Sequence, residues 1–535
     1  MIYIKLLKNF GWKIMFRYFI PVAALLMSVS ACTSLPENVD RVESYAYTDT
    51  GNTLLGKEAH RLSAKHGGED GFLLLESGID AFTARAILAE EAERSIDVQY
   101  YLYHPDMVGN LFTSILLKAA ERGVRVRILL DDMDFDGRDR DLALINRHPN
   151  IQIRIFNPFD RKVGRGLQFV TGLGSVTRRM HNKSYTVDNA YAILGGRNIG
   201  DEYFDADPAV EFADLDVVVV GDVVREVSNA FDLYWNSELV YPVESIIDKN
   251  ISDEEYRQLI DYVNNYEATY KESVYIQALY NSDLYRKAVK NDLGYYWGDA
   301  EVVVDDPEKI RGSREDTQLH LTTQLEPYFQ NLEKELVIVS PYFVPGKEGV
   351  AFFKDLVDRG IRVVILTNSL SSNDVGVVHA GYANYRDDLL RTGVEIYEMN
   401  KKLTRAQRKA MKANKKESLG GSSSASLHAK TFMLDRKLVF IGSLNLDPRS
   451  FYENTEIGVV LHSEKLAEDM VQSILDNLDR DAFRLELVDD DEVIQILWHG
   501  YENGKPVTYD VDPYTGFWRR LGIGLLSIFP MESQL

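Results

Sequence analysis

One cysteine, Cys32, stands among 535 residues. No disulfide can close within a single chain, and no cysteine cluster can hold zinc. Basic residues are the minority: 60 Lys and Arg against 82 Asp and Glu leave a net charge of -22. A general nucleic-acid binder draws most of its affinity from neutralising phosphates, so this balance argues against that class while leaving room for one locally basic site. A long apolar run is missing too. The most apolar stretch, Phe19 to Val29, is shorter than the roughly 20 residues of a membrane span. The hydrophobic share of 45% fits a globular chain, and the length allows two or three domains.

Lys5, Lys8, Lys13 and Arg17 precede the short apolar run, and small residues follow it. A basic flank, an apolar core and small residues make a secretory signal. Val29-Ser30-Ala31-Cys32 resembles a bacterial lipobox, in which the cysteine is lipidated and becomes the first residue. Met15 offers an alternative start that leaves a compact signal. Residues 1–31 are therefore expected to be a lipoprotein signal peptide and 32–78 a linker. By the sorting rule of lipoproteins, Thr33 rather than Asp favours the outer membrane over the inner one. The expected location is the cell envelope, lipid-anchored and facing the periplasm.

Two distant segments read alike. Ile96-Asp97-Val98-Gln99-Tyr100-Tyr101-Leu102-Tyr103 and Val337-Ile338-Val339-Ser340-Pro341-Tyr342-Phe343-Val344 are both β-branched and aromatic, as buried strands are. Each is followed by a helical stretch and a turn into another strand. Gly123 and Gly360 occupy those turns, where a helix end needs a left-handed residue. Each half therefore reads strand, helix, strand, an α/β pattern of mostly parallel or mixed sheet flanked by helices. The halves are expected at 79–244 and 300–480. Between them, 245–299 is polar and Tyr-rich, and Ser252 and Glu255 stand at capping-box spacing, so a helical linker or insertion is expected there. Residues 481–535 read as a C-terminal tail.

The repeat carries chemistry. His181, Lys183, Asp188, Gly195, Gly196 and Asn198 are spaced identically to His428, Lys430, Asp435, Gly442, Ser443 and Asn445. The pattern is HxKx4Dx6G[GS]xN, written twice. By chance one HxKx4D match is expected only about 0.04 times in such a chain, and here two matches sit at the same place in a repeat. On a strand, the His and Lys of HxK share a face. Lys183 and Lys430 can neutralise phosphate oxygens, and Asn198 and Asn445 add neutral donors to them. Two histidines on opposite sides of a phosphorus give a nucleophile and a general acid. Neither half can do this alone.

These motifs, with Gly195-Gly196-Arg197-Asn198-Ile199-Gly200-Asp201, Val378-His379-Ala380-Gly381-Tyr382 and Asn445-Leu446-Asp447-Pro448-Arg449-Ser450, resemble the phospholipase D superfamily. Within it they are most similar to the bacterial C-type cardiolipin synthase branch. The resemblance runs from about Gly71 to Leu535. It implies two similar phospholipase D-type lobes with a pseudo-twofold active site between them. It implies His181 as nucleophile, His428 as general acid and then base, and Asp188 and Asp435 as braces of the fold. Aligning Phe212–Val218 with Asn454–Val460 nominates Asp214 and Glu456 as the carboxylates that orient the histidines and favour their protonated form. One neutral and one charged histidine are needed, so the pair should titrate together. No metal or other cofactor is required, since the lysines do the work of a cation. The implied reaction is phosphatidyl transfer making cardiolipin from phosphatidylglycerol and a second phospholipid through a phosphohistidine. The same intermediate met by water gives a phospholipid hydrolase instead, and a phosphodiesterase or nuclease is disfavoured by the acidic charge. The expected partners are a phospholipid substrate and a membrane, with no nucleic acid and no identifiable partner protein.

Three further features stand out. Lys401, Lys402, Arg405, Arg408, Lys409, Lys412, Lys415 and Lys416 crowd one segment, which suits either anionic headgroups or a solvated helix face. Gly420 to Ser426 reads as a flexible loop. The stretch from Gly516 to Phe529 mixes aromatics, arginines and apolar residues, suiting a membrane interface or the protein's own core. By resemblance, His379 is expected near the site. The lipobox generates a direct test. Metabolic labelling with a fatty-acid analogue should mark Cys32, and Cys32→Ala should release a soluble or mislocalised protein. Absence of label on the mature chain would leave a cleaved signal or a simple anchor.

Overall fold

β-Branched residues at alternating positions build the sheet that organises the molecule. The computed structural model describes residues 35–36, 41–171, 176–207, 210–247, 250–373, 375–400, 424–490, 493–502 and 504–526. Cys32 and the basic segment from Lys401 to Lys416 lie outside these. Among the described residues no helix is long and apolar enough to cross a membrane.

The first half contributes β1 (Asp70–Leu75), β2 (Ser95–Tyr100), β3 (Arg125–Asp131), β4 (Ile151–Phe156), β5 (Ser184–Val187), β6 (Tyr191–Gly195), β7 (Val210–Ala213), β8 (Asp216–Val220) and β9 (Val240–Pro242). The second contributes β10 (Tyr296–Val304), β11 (Glu335–Val339), β12 (Arg362–Thr367), β13 (Glu395–Met399), β14 (Ser424–Leu427), β15 (Thr431–Leu434), β16 (Leu438–Gly442) and β17 (Ile457–His462). It continues with β18 (Ala482–Asp490), β19 (Val493–Glu502) and β20 (Lys505–Tyr509). One lobe has the order β1-β8-β6-β5-β2-β3-β4-β9. The other has β10-β17-β16-β15-β11-β12-β13-β18. The two orders match strand for strand. β2, β3 and β4 are parallel, as are β11, β12 and β13, and the remaining pairs in these orders are antiparallel, so each sheet is mixed. β1 and β10 pair with each other, Gly71 opposite Trp297, and join the sheets edge to edge.

Alternation along the strands distributes the core. Val217 and Val219 of β8 lie in an apolar cluster shared with Ile441, Val459 and Leu461 of the second lobe. Val218 and Val220, one position along, face a separate first-lobe cluster. In the second lobe Phe440 and Val460 turn likewise into a cluster of their own. Lobe contact is therefore built from one face of the strands that also carry the motifs.

Local signals hold where chemistry is local. Gly123 and Gly360 have φ of 96° and 83°, the left-handed conformation that closes the helices Met107–Glu121 and Gly346–Asp358. The capping box of Ser252 and Glu255 opens the helix Asp253–Tyr270. That helix and Asp283–Val289 pack outside the first lobe, on the helices Met107–Glu121 and Gly78–Glu91.

The sequence boundaries need three corrections. β1 lies in the stretch assigned to a linker, and β10 begins before residue 300. The expected tail is in part sheet: β18 pairs with β13, and β19 and β20 extend it. Edge strands of this kind are completed by long-range pairing, which composition does not disclose. The repeat is also shifted by one. Gln99 pairs with Ser184 and Val339 with Thr431, so Ile96 corresponds to Leu336 and not to Val337.

The motif aspartates sit in matching hairpin turns. Asp188 and Asn189 have φ of 50° and 47°, and Ala190 N–H donates to Val187 O. Asp435 and Arg436 have φ of 52° and 55°, and Lys437 N–H donates to Leu434 O. These are type I′ turns, where Asp tolerates the positive φ. Each carboxylate then accepts three backbone N–H groups at the start of the neighbouring strand. Asp188 takes those of Glu93, Arg94 and Ser95, and Asp435 those of Glu333, Lys334 and Glu335. Asp188 is fully buried, whereas Asp435 is partly exposed. Asp188→Ala is therefore expected to cost about 2–4 kcal/mol of stability through orphaned donors and turn strain, and Asp435→Ala clearly less. Urea unfolding of both variants checks this; equal losses would contradict it.

Candidate active site

Each motif histidine is delivered by a segment that pairs with the other lobe. β14, just before His428, pairs in parallel with β7, Leu427 opposite Ala213. Met180, just before His181, bridges in parallel to Thr455. The His428 N–H donates to Ala213 O and the His181 N–H to Thr455 O, both at 2.8 Å. Asp214 and Glu456 are the next residues along, so the register presents a carboxylate to each imidazole. His181 Nδ1 lies 2.8 Å from Glu456 Oε2, and His428 Nδ1 lies 2.6 Å from Asp214 Oδ2. The pairing is crossed: each lobe gives a histidine to one pair and a carboxylate to the other.

β14 also corrects an expectation. The Ser-rich stretch read as a flexible loop forms a strand from Ser424 onward, because β7 of the other lobe supplies its partner. Residues 420–423 lie outside the described ones.

Supports of the two histidines are matched in place and different in chemistry. Asp131, ending β3, accepts the Met180 N–H at 2.9 Å and Arg179 Nε at 2.8 Å. Asn368, following β12, accepts the Leu427 N–H at 3.0 Å and donates to Leu427 O at 2.9 Å. Gly196 makes room for Asp214: a Cβ there would lie 2.2 Å from Asp214 Oδ1. Gly195 would collide with Asp216 in the same way, and Gly442 with the carbonyl of Ile457. Ser443, the counterpart of Gly196, instead donates its hydroxyl to Glu456 Oε2. The Glu456 N–H donates to Asp305, which is paired with buried Lys309.

The remaining motif residues gather around the crossed pairs. His181, Lys183, Asn198, Asp214, His428, Lys430, Asn445 and Glu456 are all buried. Lys183 Nζ donates to His181 O at 2.7 Å and lies 5.6 Å from the Tyr101 ring centre. Lys430 Nζ stands 3.0 Å from His428 Nδ1 and bonds the His428 carbonyl. Asn198 donates to Tyr203 Oη at 3.0 Å, and the Tyr203 ring meets His428 edge-on at 5.2 Å. Asn445 Oδ1 has no hydrogen-bond partner among the described residues. Asp188 and Asp435 point away, into their turns.

Sequence reasoning missed the aromatic walls. Tyr101 meets His181 at 5.1 Å; Phe212 and Tyr342 lie 5.1 and 6.3 Å from His428. Tyr101 and Tyr342 belong to the repeated phrases, where they read as core. His379 packs on Tyr382 and stands 3.6 Å from Asp512, which also pairs with Arg386. It therefore ties the C-terminal segment to the second lobe and does not join the histidine pairs.

Burial decides protonation. It pushes His181 down to about 4; Glu456 pulls upward but is outweighed, with Lys183 adding to the depression. Burial also lowers His428, helped by Lys430 and opposed by Asp214. The carboxylates do pull toward charged imidazoles, but burial outweighs them. Burial would raise Glu456 and Asp214 as well, but contact with His181 and Lys183, and with His428 and Lys430, holds both below their ordinary values. Burial, with Lys430 nearby, lowers Lys183 to about 7 against the pull of Glu456. The arrangement is thus two neutral imidazoles donating Nδ1–H to two carboxylates, a tautomer assigned from the hydrogen bonds. Each Nε2 keeps its lone pair. Among the described residues, the His/Asp/Glu group close enough to share a cation is His104, Asp106 and Glu202. Asp106 already accepts the Gly109 and Asp201 N–H groups and His104 contacts Glu202 at 3.2 Å, so it is a hydrogen-bonded helix start.

Comparison with known proteins agrees with the duplicated fold. A family model described as the PLD-like domain of cardiolipin synthase matches residues 87–235 and again 326–478. Cardiolipin synthase C of Escherichia coli is 41% identical over 89% of this chain and 98% of its own. An uncharacterised protein of Helicobacter pylori is 34% identical over 84% of this chain and 86% of its own. Among solved structures, phosphatidylserine synthase of Haemophilus influenzae superimposes with a TM-score of 0.53 at 14% identity, covering 80% of this chain and 92% of that one. That likeness is one of fold.

The depressed His181 is measurable without turnover. In histidine-labelled protein, NMR should find His181 neutral with Nδ1–H at pH 6, protonating only near pH 4. Glu456→Gln removes the nearest anion and should lower that midpoint further. A midpoint near the ordinary 6.5 would contradict the burial argument.

Proposed function

Because the chain belongs to the cardiolipin synthase family of PLD-like proteins, we propose that it moves a phosphatidyl group from one phospholipid to the hydroxyl of phosphatidylglycerol, making cardiolipin. The observation that carries this reading is the crossed pair of histidine–carboxylate bonds with both motif lysines in one buried site.

The neutral His181 uses its Nε2 lone pair to attack the donor phosphorus. A P–N bond forms as the P–O bond to the headgroup alcohol breaks. His428 gives that alkoxide a proton. Bound phosphodiester adds one negative charge to a site where two carboxylates face two lysines, so it favours proton uptake by His428. The acceptor hydroxyl then returns a proton to His428 and attacks phosphorus, and the P–N bond breaks. Lys183, Lys430, Asn198 and Asn445 hold the phosphate oxygens as charge builds. One phosphodiester replaces another, so no nucleotide is consumed. The donor is a second phosphatidylglycerol or phosphatidylethanolamine. Attachment through a lipidated Cys32, facing the periplasm and favouring the outer membrane, completes the reading.

Mutation and product analysis test it together. His181→Ala and His428→Ala should each abolish turnover while folding survives. The double variant should be little worse than either single one, since both residues serve one intermediate. Mass spectrometry of enzyme stopped in mid-reaction should find phosphate on His181; phosphate on His428 would reverse the assignment. Expression in cells lacking their own cardiolipin synthases should restore cardiolipin. Phosphatidic acid as the main product on phosphatidylglycerol vesicles would replace the transferase reading with a hydrolase.

A further inference from the structure

The C-terminal helix Phe517–Leu526 is built inside out for a helix on the surface of a soluble protein. Its apolar residues Phe517, Trp518 and Leu521 are 62%, 79% and 42% exposed. Its arginines are tethered at one end each: Arg519, itself exposed, donates to Asn373 O at 3.3 Å, and Arg520 donates to Thr515 O, in the turn before the helix, at 2.6 Å. A solvated surface helix turns its apolar stripe to the core and its charges to water. Here the core-facing contact comes from Ile523, whose side chain lies against the bare Gly376 at the start of the helix Gly376–Ala383. Val375, next to that glycine, is 37% exposed and adds to the patch.

The helix is held in place and is linked through a few residues to one of the histidines. Asp512, just before it, pairs with Arg386 and contacts His379. Arg519 rests on Asn373, in the segment that carries Ser372 and Asn368. Ser372 donates to Asn368 Oδ1 at 3.0 Å, and Asn368 grips Leu427, the residue before His428. A short run of hydrogen bonds thus connects the apolar patch to one end of the catalytic pair.

We propose that this helix lies in the headgroup region of a phospholipid bilayer, with Phe517, Trp518 and Leu521 inserted, and so sets the mouth of the site against the lipid. A Trp beside arginines suits that interface, with the indole among the upper acyl carbons and the guanidinium groups level with the phosphates. The whole chain carries -22, so an anionic surface repels it at long range. Adhesion therefore needs apolar insertion and two local cations more than it needs net charge. The inference rests on the reading of the site as one that takes a lipid.

The test follows the depth of one side chain in the full-length protein. The chain has five tryptophans, so Trp518 is isolated by comparing wild type with Trp518→Phe. Vesicles of phosphatidylglycerol and phosphatidylcholine with brominated acyl chains should quench part of the wild-type emission and shift it to the blue, and Trp518→Phe should lose that part. An N-terminal lipid anchor cannot mimic this, because it brings the protein near the vesicle without inserting the indole. Trp518→Ser with Leu521→Ser, both at exposed positions, should slow transfer on limiting vesicles by roughly tenfold or more and leave a short-chain lipid below its micelle concentration unaffected. Equal quenching of wild type and Trp518→Phe would overturn the proposal. So would an equal loss on both substrates, or a Trp518 shielded by pairing of two copies in lipid-free solution. Trp518-specific quenching without any lipid turnover would keep this surface and sink the enzymatic reading. Cardiolipin synthesis without that quenching would do the reverse.

Discussion

Two hydrogen bonds that cross between the lobes carry the design: His181 to Glu456 and His428 to Asp214. Each is set by backbone pairing as well as by side chains, since the preceding residues form parallel bridges between lobes. A histidine aligned by its own lobe would leave that lobe self-sufficient. Here neither lobe contains a complete pair, so separating the lobes would undo both. The shared apolar cluster of Val217, Val219, Val459 and Leu461 does for the sheets what the bridges do for the site. Packing and chemistry thus depend on the same registration.

The duplication is close in topology and loose in chemistry. Asp214 fits against a bare glycine, whereas the longer Glu456 is steadied by the Ser443 hydroxyl and by Asp305 under its backbone. The segment before His181 is gripped by the ion pair of Asp131 and Arg179, that before His428 by the neutral amide of Asn368. His181 meets one tyrosine; His428 meets Tyr203, Phe212, Tyr342 and the Lys430 ammonium. Twofold scaffolding with unequal surroundings is what two histidines need if one is to bond to phosphorus and the other to move a proton.

Burial sets the electrostatics. A chain of strongly acidic composition encloses two lysines, two carboxylates and two imidazoles, and their charges nearly cancel. In that surrounding the imidazoles prefer neutrality even beside carboxylates, because desolvating an imidazolium costs more than the neighbouring anion returns. An arriving phosphodiester changes the balance, so the charged state of the site belongs to the complex.

Much was legible in the sequence because it is encoded within short segments. The HxK spacing, the Gly123 and Gly360 helix ends and the Ser252 capping box each involve a few consecutive residues. Local backbone geometry alone determines them. The alignment that nominated Asp214 and Glu456 worked because a duplicated chain is its own comparison. What tertiary structure decided is everything that depends on the other lobe. Which carboxylate meets which histidine, the strand made from Ser424 to Leu427, the sheet completed by Ala482 to Tyr509 and the one-residue shift of the repeat all follow from pairing between distant segments. The neutrality of the imidazoles has the same origin. Desolvation is a property of the closed site, and no residue type or spacing carries it.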